Sequence, residues 1–249
     1  MVGCFFFIGA GKGTHVRIVV LPGVFKPHSD TRLLARFVES ESLLPGSRVL
    51  DLCAGSGAVA LAAAQAGARE VDAVDVSRKA VATTRLNAAL NGASVRAHRG
   101  DLFGPVDGRR FDLIVSNPPY VPGDDELPTR GLSRAWEGGA RGRTLIDRVV
   151  AGAPAHLRPG GSLMVVQSSV CGTDETLEAM RRAGLHATVV GSETNPFGPV
   201  FTERVARLER AGLLEPGQRH EELVVLRGRA AKAADRLLAG ARAVPVSTD

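Results

Sequence analysis

No apolar run in this chain approaches the roughly 20 residues that a helix needs to cross a bilayer. Cysteine is scarce as well: Cys4, Cys53 and Cys171 lie far apart, without paired ligand spacing. That argues against a disulfide framework or a zinc site, and no bound metal is expected. Lysine is rare beside arginine, and the basic residues neither form a dense run nor alternate with aromatics, which make up 4% of the chain. The formal net charge of +5 therefore leaves a nucleic-acid partner open without favouring it. Residues 1–8 are largely apolar but have no basic n-region and no clear cleavage site, so a cytoplasmic protein is expected rather than a secreted one. Gly9-Ala10-Gly11-Lys12-Gly13-Thr14 looks like the end of a phosphate-binding loop, yet Phe6 stands where the earlier glycine belongs. Nucleotide binding by this segment is not expected.

What is present concentrates around Asn117-Pro118-Pro119-Tyr120, which follows the apolar run Phe111-Asp112-Leu113-Ile114-Val115-Ser116. Two prolines have fixed φ and no N–H, so nearby carbonyls stay free to accept hydrogen bonds. Asn117 adds a side-chain acceptor, and Tyr120 an aromatic face for a flat amide or base. Such a strand end can hold an –NH2 group by both hydrogens.

Three strand ends upstream read as a cofactor site. Arg48-Val49-Leu50-Asp51-Leu52-Cys53-Ala54-Gly55-Ser56-Gly57 is a strand and a small-residue turn, followed by an Ala-rich helix. Gly55 and Gly57 let the backbone approach a ligand closely. Asp75 closes the next strand about 20 residues after the glycines, a spacing suited to ribose hydroxyls. Asp101 ends a third strand, where a carboxylate can accept from an adenine amino group. Each aspartate alone could be a helix cap or loop residue; three in register at successive strand ends make coincidence a poor account.

On these residues the chain resembles the class I S-adenosylmethionine-dependent methyltransferases, from about residue 22 to 227. In that superfamily Asn-Pro-Pro-Tyr marks enzymes that methylate planar nitrogens: glutamine amides, adenine N6 or cytosine N4. Three further stretches are similar to the HemK-type protein-glutamine N5-methyltransferases, in the short branch without a large N-terminal domain. They are Gly23-Val24-Phe25-Lys26-Pro27-His28-Ser29-Asp30-Thr31, then Ala135-Trp136-Glu137-Gly138-Gly139 and its continuation to Arg148, and finally Glu221-Glu222-Leu223-Val224-Val225-Leu226.

The resemblance implies S-adenosylmethionine as cofactor and Thr31 as one of its contacts. Asp51, Cys53, Gly55 and Gly57 are expected at its methionine part, Asp75 at the ribose, and Asp101 with Leu102 at the adenine. Asn117, Pro118 and Tyr120 carry the catalytic assignment, with Pro119 and Trp136 lining the substrate side and Asn117 also near the cofactor. The family's known substrate is the Gly-Gly-Gln loop of a peptide-chain release factor, and short relatives work with a small activating partner protein. Cys53 replaces a glycine common among relatives, which its small side chain tolerates if the backbone there is not left-handed; Ala140 stands where an acidic or polar residue is common. An RNA or DNA amino-methyltransferase, a small-molecule N-methyltransferase and a non-enzymatic scaffold with a degenerate site remain alternatives. His98 and His156 are not assigned as bases.

Periodicity predicts a single α/β domain with a doubly wound, mostly parallel, seven-stranded sheet. Strands are expected at 48–52, 70–75, 95–99, 111–116, 162–168, 186–192 and 222–227. Helices are expected at 29–40, capped by Ser29 or Asp30, and at 58–66, 78–90, 144–157 and 174–183, with a helical insert near 202–212. The domain is bounded at residues 21–229, between an N-terminal extension (1–20) and an Ala/Arg-rich tail (230–249).

Overall fold

The computed structural model describes residues 3–8 and 15–232. Its first elements, β1 (Gly3–Ile8) and β2 (His15–Val20), pair antiparallel in a small sheet of their own. Val16, Ile18 and Val20 alternate along β2 and are buried against Ala58, Leu61, Ala62 and Ala88. Two asparagines hold the same strand by its backbone. Asn87 donates to the Val19 carbonyl and accepts from the Val19 N–H, and Asn91 does the same for Arg17. Spaced four residues apart, one in the last turn of the helix Arg78–Leu90 and one at its C-cap, the two amides present the donors and acceptors of a neighbouring strand. The packed body therefore takes in residues 15–20, which the sequence pattern had assigned to an extension.

Next come α1 (Ser29–Glu39), β3 (Arg48–Leu52), α2 (Ala58–Gln65), β4 (Glu70–Asp75), α3 (Arg78–Leu90), β5 (Val95–Arg99) and β6 (Phe111–Ser116). They are followed by α4 (Thr144–His156), β7 (Leu157–Ser168), α5 (Thr173–Arg182), β8 (Leu185–Pro196), two short helices α6 (Pro199–Thr202) and α7 (Val205–Arg210), and β9 (His220–Ala230). The seven-stranded sheet runs β5-β4-β3-β6-β7-β9-β8, parallel except that β9 lies antiparallel to both its neighbours. Val49, Leu50, Asp51 and Leu52 of β3 are all buried, as are Leu113, Ile114, Val115 and Ser116 of β6. Consecutive burial means that both faces of these central strands are covered. Helix α2 explains much of the alanine content: Ala58, Val59, Ala60, Leu61, Ala62 and Ala63 are all buried, so small side chains keep its backbone close to its neighbours.

The predicted sheet is present, with three adjustments. Strand β7 begins at Leu157, and β8 and β9 extend past their predicted limits to pair from Leu185 with Ala230 through to Pro196 with His220. The expected insert is the pair α6 and α7. Neither Ser29 nor Asp30 caps α1; its N-cap is His28, with no side-chain cap bond. The tail beyond 232 and the phosphate-loop-like glycines lie outside the described residues. Among those described, no helix is long and apolar enough to cross a membrane and no metal-ligand cluster occurs.

The strand order reverses between β3 and β6, because the chain runs outward from β3 to β5 and then returns to the other side of β3. A crevice at the carboxyl edge of that switch point is the preferred ligand position in such sheets.

Replacing Ile18, 1% exposed, by alanine is expected to cost about 2–5 kcal/mol in urea unfolding. A change below about 0.5 kcal/mol, the usual scale of a surface substitution, would show that β2 is not part of the cooperative fold.

Candidate functional site

At that edge lies a cavity of about 470 Å³. Every residue assigned to the site from the sequence lines it, with the exception of Gly57. Gly57 acts one step back. Its φ is +79°, and a Cβ there would lie 2.7 Å from Thr84 Cγ2. The Thr84 hydroxyl in turn donates to the Gly55 carbonyl at 3.2 Å, so the turn after β3 is fastened to α3.

The three strand-end aspartates sit in different environments. Asp51 is buried and accepts from the Ala60 N–H at 3.0 Å; burial pushes its carboxyl up to about 8, with the Asp75 charge adding to the rise. Asp75 accepts from the Gly55 N–H through Oδ2 (2.9 Å) and from the Ser77 N–H through Oδ1 (2.8 Å). Burial raises its pKa too, while those two bonds oppose the rise. Asp101 is exposed and pairs with the Arg148 guanidinium at 2.6 Å. Among the described residues, Cys53 (φ 60°) and Leu102 (φ 43°) are the non-glycine residues in the left-handed region, and both line the cavity. The expectation that Cys53 avoids that conformation is thus corrected; strained backbone of this kind, costing about 1–3 kcal/mol, gathers at functional turns. Burial raises the Cys53 thiol far above its ordinary value, so it is no nucleophile.

On the other side, the segment after β6 is tied down at both ends by one carboxylate. The Asn117 Nδ2 donates to Thr31 Oγ1 at 3.1 Å, and Thr31 Oγ1 donates to Asp30 Oδ1 at 3.2 Å. The Tyr120 hydroxyl donates to Asp30 Oδ2 at 3.0 Å. With its NH2 committed to Thr31, Asn117 has Oδ1 left as an acceptor with no hydrogen bond among the described residues. Burial, with the Asp30 charge, keeps the Tyr120 phenol protonated. The glycine-rich stretch behind it packs on backbone: a Cβ at Gly138 would lie 2.6 Å from the Pro119 carbonyl, and one at Gly142 would overlap the Tyr120 carbonyl. The Val121 N–H donates to the Trp136 carbonyl at 2.7 Å, and the Trp136 ring lies 5.6 Å from Phe25.

Asp30 and Glu221 escaped the sequence reading as site residues. Asp30 looked like a helix cap and Glu221 like an ordinary strand residue; both are buried beside Tyr120. The neighbouring Thr31 was the only local signal for Asp30. His98 bonds Asp72 at 2.8 Å on β5, and His156 stacks on Phe103 at the end of α4, so neither lines the cavity.

Residues 15–131 match the model of the methyltransferase small domain family. The chain is 31% identical to a protein of Methanocaldococcus jannaschii provisionally named a protein N5-glutamine methyltransferase, over 78% of this chain and 96% of that one. It is 37% identical to the release factor glutamine methyltransferase of Geobacter sulfurreducens, over 80% of this chain and 72% of that protein. The fold also matches the Encephalitozoon cuniculi Mtq2–Trm112 complex, described as methylating the eRF1 termination factor. There the TM-score is 0.59 at 21% identity, covering 84% of this chain and 99% of that one. Fold and site define a class I S-adenosylmethionine-dependent methyltransferase. Within that class, the chain belongs to the HemK-type glutamine methyltransferase family.

Gly57→Ala is expected to lower stability by about 2 kcal/mol or more, from the left-handed φ together with the Thr84 overlap. An unchanged melting temperature would show that the turn can relax.

Proposed function

We propose that this enzyme methylates the side-chain amide nitrogen of a glutamine in a polypeptide, with the Gly-Gly-Gln loop of a release factor as the leading substrate. The observation that carries this reading is the committed orientation of Asn117. Its NH2 is used by Thr31, so its Oδ1 and the neighbouring Pro118 carbonyl are two acceptors for an –NH2 group. The names of the curated relatives support the same substrate. A small activating partner belongs to the proposal as well, supported by the Mtq2–Trm112 neighbour.

The residues present fit the methyl donor. Asp75 has used one lone pair on each oxygen for backbone N–H groups and keeps others for ribose hydroxyls. Asp101 and the Leu102 backbone suit the adenine edge, and Thr31 and the turn at Cys53 and Gly55 suit the remainder. Asp51, buried with one backbone donor, suits a cationic methionine end. When bound, S-adenosylmethionine supplies a methyl group already activated on a sulfonium.

The protein's work is then mostly placement. An amide nitrogen is a poor nucleophile because its lone pair is delocalised into the carbonyl. Hydrogen bonds from its two N–H groups to Asn117 Oδ1 and the Pro118 carbonyl favour positive charge developing on that nitrogen. They also orient the lone pair out of the amide plane. The Tyr120 ring, tethered through its hydroxyl, offers a flat face for the amide, and Pro119 stiffens the backbone between.

Methyl transfer from labelled cofactor to a purified release factor, to its loop Gln→Ala variant and to total RNA tests this reading. Label on the wild-type factor alone is expected; label on RNA would move the substrate to a base amino group. Asn117→Ala is expected to slow transfer about 10²–10³-fold with cofactor affinity within a few fold, by calorimetry. Loss of both together would contradict the acceptor role.

Asp51 predicts a proton signature. Its folded pKa of about 8 means that the free protein holds this proton at pH 7. Binding a cation beside it should release about one proton, read from calorimetry in buffers of different ionisation heat. Affinity should rise with pH up to about 8 and then level, and Asp51→Asn should abolish both effects. Because the unfolded chain loses this proton near pH 4, the same group makes the free fold less stable as pH rises from about 4 to 8.

A further inference from the structure

Among the described residues, two buried side-chain N or O atoms have no hydrogen-bond partner, the Trp136 Nε1 and the Glu221 Oε2. Both residues line the cavity that holds the Asn117–Tyr120 clamp. Buried polar atoms in folded proteins are almost always paired, so an orphan in a ligand cavity points to a partner that arrives with the ligand. Two orphans in one cavity, one a pure donor and the other an acceptor, define that partner's chemistry further.

Both belong to the acceptor side. The backbone of Trp136 is bonded to Val121, the residue after the clamp tyrosine. Glu221, 8% exposed, stands at the start of β9, paired in register with Asn195 of β8. It faces Asp30 from α1, Tyr120 from the clamp, and Ser168 and Cys171 from the end of β7 and the turn after it. Ser168 bonds its carboxyl, which leaves Oε2 over.

We propose that Trp136 and Glu221 form a substrate-recognition pair in which the indole N–H donates to a carbonyl of the acceptor and Glu221 Oε2 accepts from one of its N–H groups. This rests on the glutamine reading above and deepens it. A glutamine held by both amide hydrogens still has its own carbonyl oxygen unpaired, and the peptide units beside it carry further N–H and C=O groups. A polypeptide thus supplies both a donor and an acceptor next to the reacting nitrogen. A phosphodiester linkage offers only acceptors and would bring its charge toward Glu221 and Asp30.

The pair has a pH consequence. Burial, with the Asp30 charge adding to it, raises the Glu221 carboxyl to about 7, while the Ser168 bond opposes the rise. Only the ionised form is a pure acceptor, so recognition should weaken as pH falls below about 7. Tyr120 and Cys171 are held protonated in this range by burial, and both face the same carboxyl.

The test compares Trp136→Phe, which keeps a ring and removes the N–H, with Glu221→Gln, which keeps the shape and removes the charge. The exposed neighbour variant Glu222→Gln serves as the control. Transfer from labelled S-adenosylmethionine to a purified release factor is followed from pH 5.5 to 9, alongside cofactor affinity and melting temperature. Each test variant is expected to lose about tenfold or more in kcat/KM for the factor, with cofactor Kd within about twofold. With cofactor held saturating at every pH, so that the Asp51 dependence drops out, the wild-type acid limb should vanish in Glu221→Gln and persist in Trp136→Phe. Wild-type kcat/KM and an unchanged acid limb in both variants, with the factor labelled normally, would overturn the pair and leave the glutamine reading standing. Label on RNA and none on the factor would overturn that reading and the pair with it. If wild type labels neither, calorimetric binding of the factor decides: equal affinity in all variants overturns the pair.

Discussion

A single buried carboxylate, Asp30, anchors the geometry on which the acceptor side depends. One of its oxygens takes the Thr31 hydroxyl and amide, the other the Tyr120 hydroxyl. Through Thr31 it reaches Asn117, so both ends of a four-residue segment are oriented from the first turn of α1. An amide side chain has no intrinsic preference for which end faces a ligand. Here that choice follows from a donor–acceptor chain in which Thr31 must accept from nitrogen because its own proton goes to Asp30. The prolines remove competing N–H donors, and Gly138 and Gly142 allow the following loop to lie directly on the segment's carbonyls.

On the proposed cofactor side, like residues differ in their surroundings. Asp51, Asp75 and Asp101 all end parallel strands or follow them directly, yet burial divides their chemistry. Burial raises the Asp51 carboxyl to about 8, Asp75 is bracketed by two backbone donors, and Asp101 meets solvent and an arginine. One cavity can in this way present a titrating carboxyl, an ordered acceptor pair and a wet rim. The insert between β8 and β9 also contributes to the cavity: Phe201 lines it, and Arg204 bonds Glu137 and the Pro122 carbonyl, joining the insert to the loop after the clamp.

Much of this was legible in the residues because it is local. The alternation of β and α elements follows from hydrophobic period, and a ligand edge follows from right-handed parallel connections. A strand's last residues must point toward that edge, so Asp51, Asp75, Asp101 and Asn117 converge by topology alone. The docking of β2 was not legible, although Val16, Ile18 and Val20 alternate visibly, because its backbone is held by the side chains of Asn87 on α3 and Asn91 at the C-cap of α3. Cys53 was misread for a related reason: its left-handed φ is imposed by the turn it closes, against its own preference.

The chain's order of apolar and small residues, its prolines and its strand-end acids determined the fold, the switch-point crevice and the class of chemistry. Each of these depends on neighbours a few residues away or on connection rules that any such chain obeys. Tertiary structure alone decided which way the Asn117 amide faces, why Tyr120 is held, and that the Trp136 Nε1 and Glu221 Oε2 atoms are left unpaired among the described residues. Those facts rest on contacts across 86 and 90 residues of sequence and on desolvation. A hydrogen bond left unmade, or a carboxyl raised to about 7, exists only once the surrounding elements have excluded water.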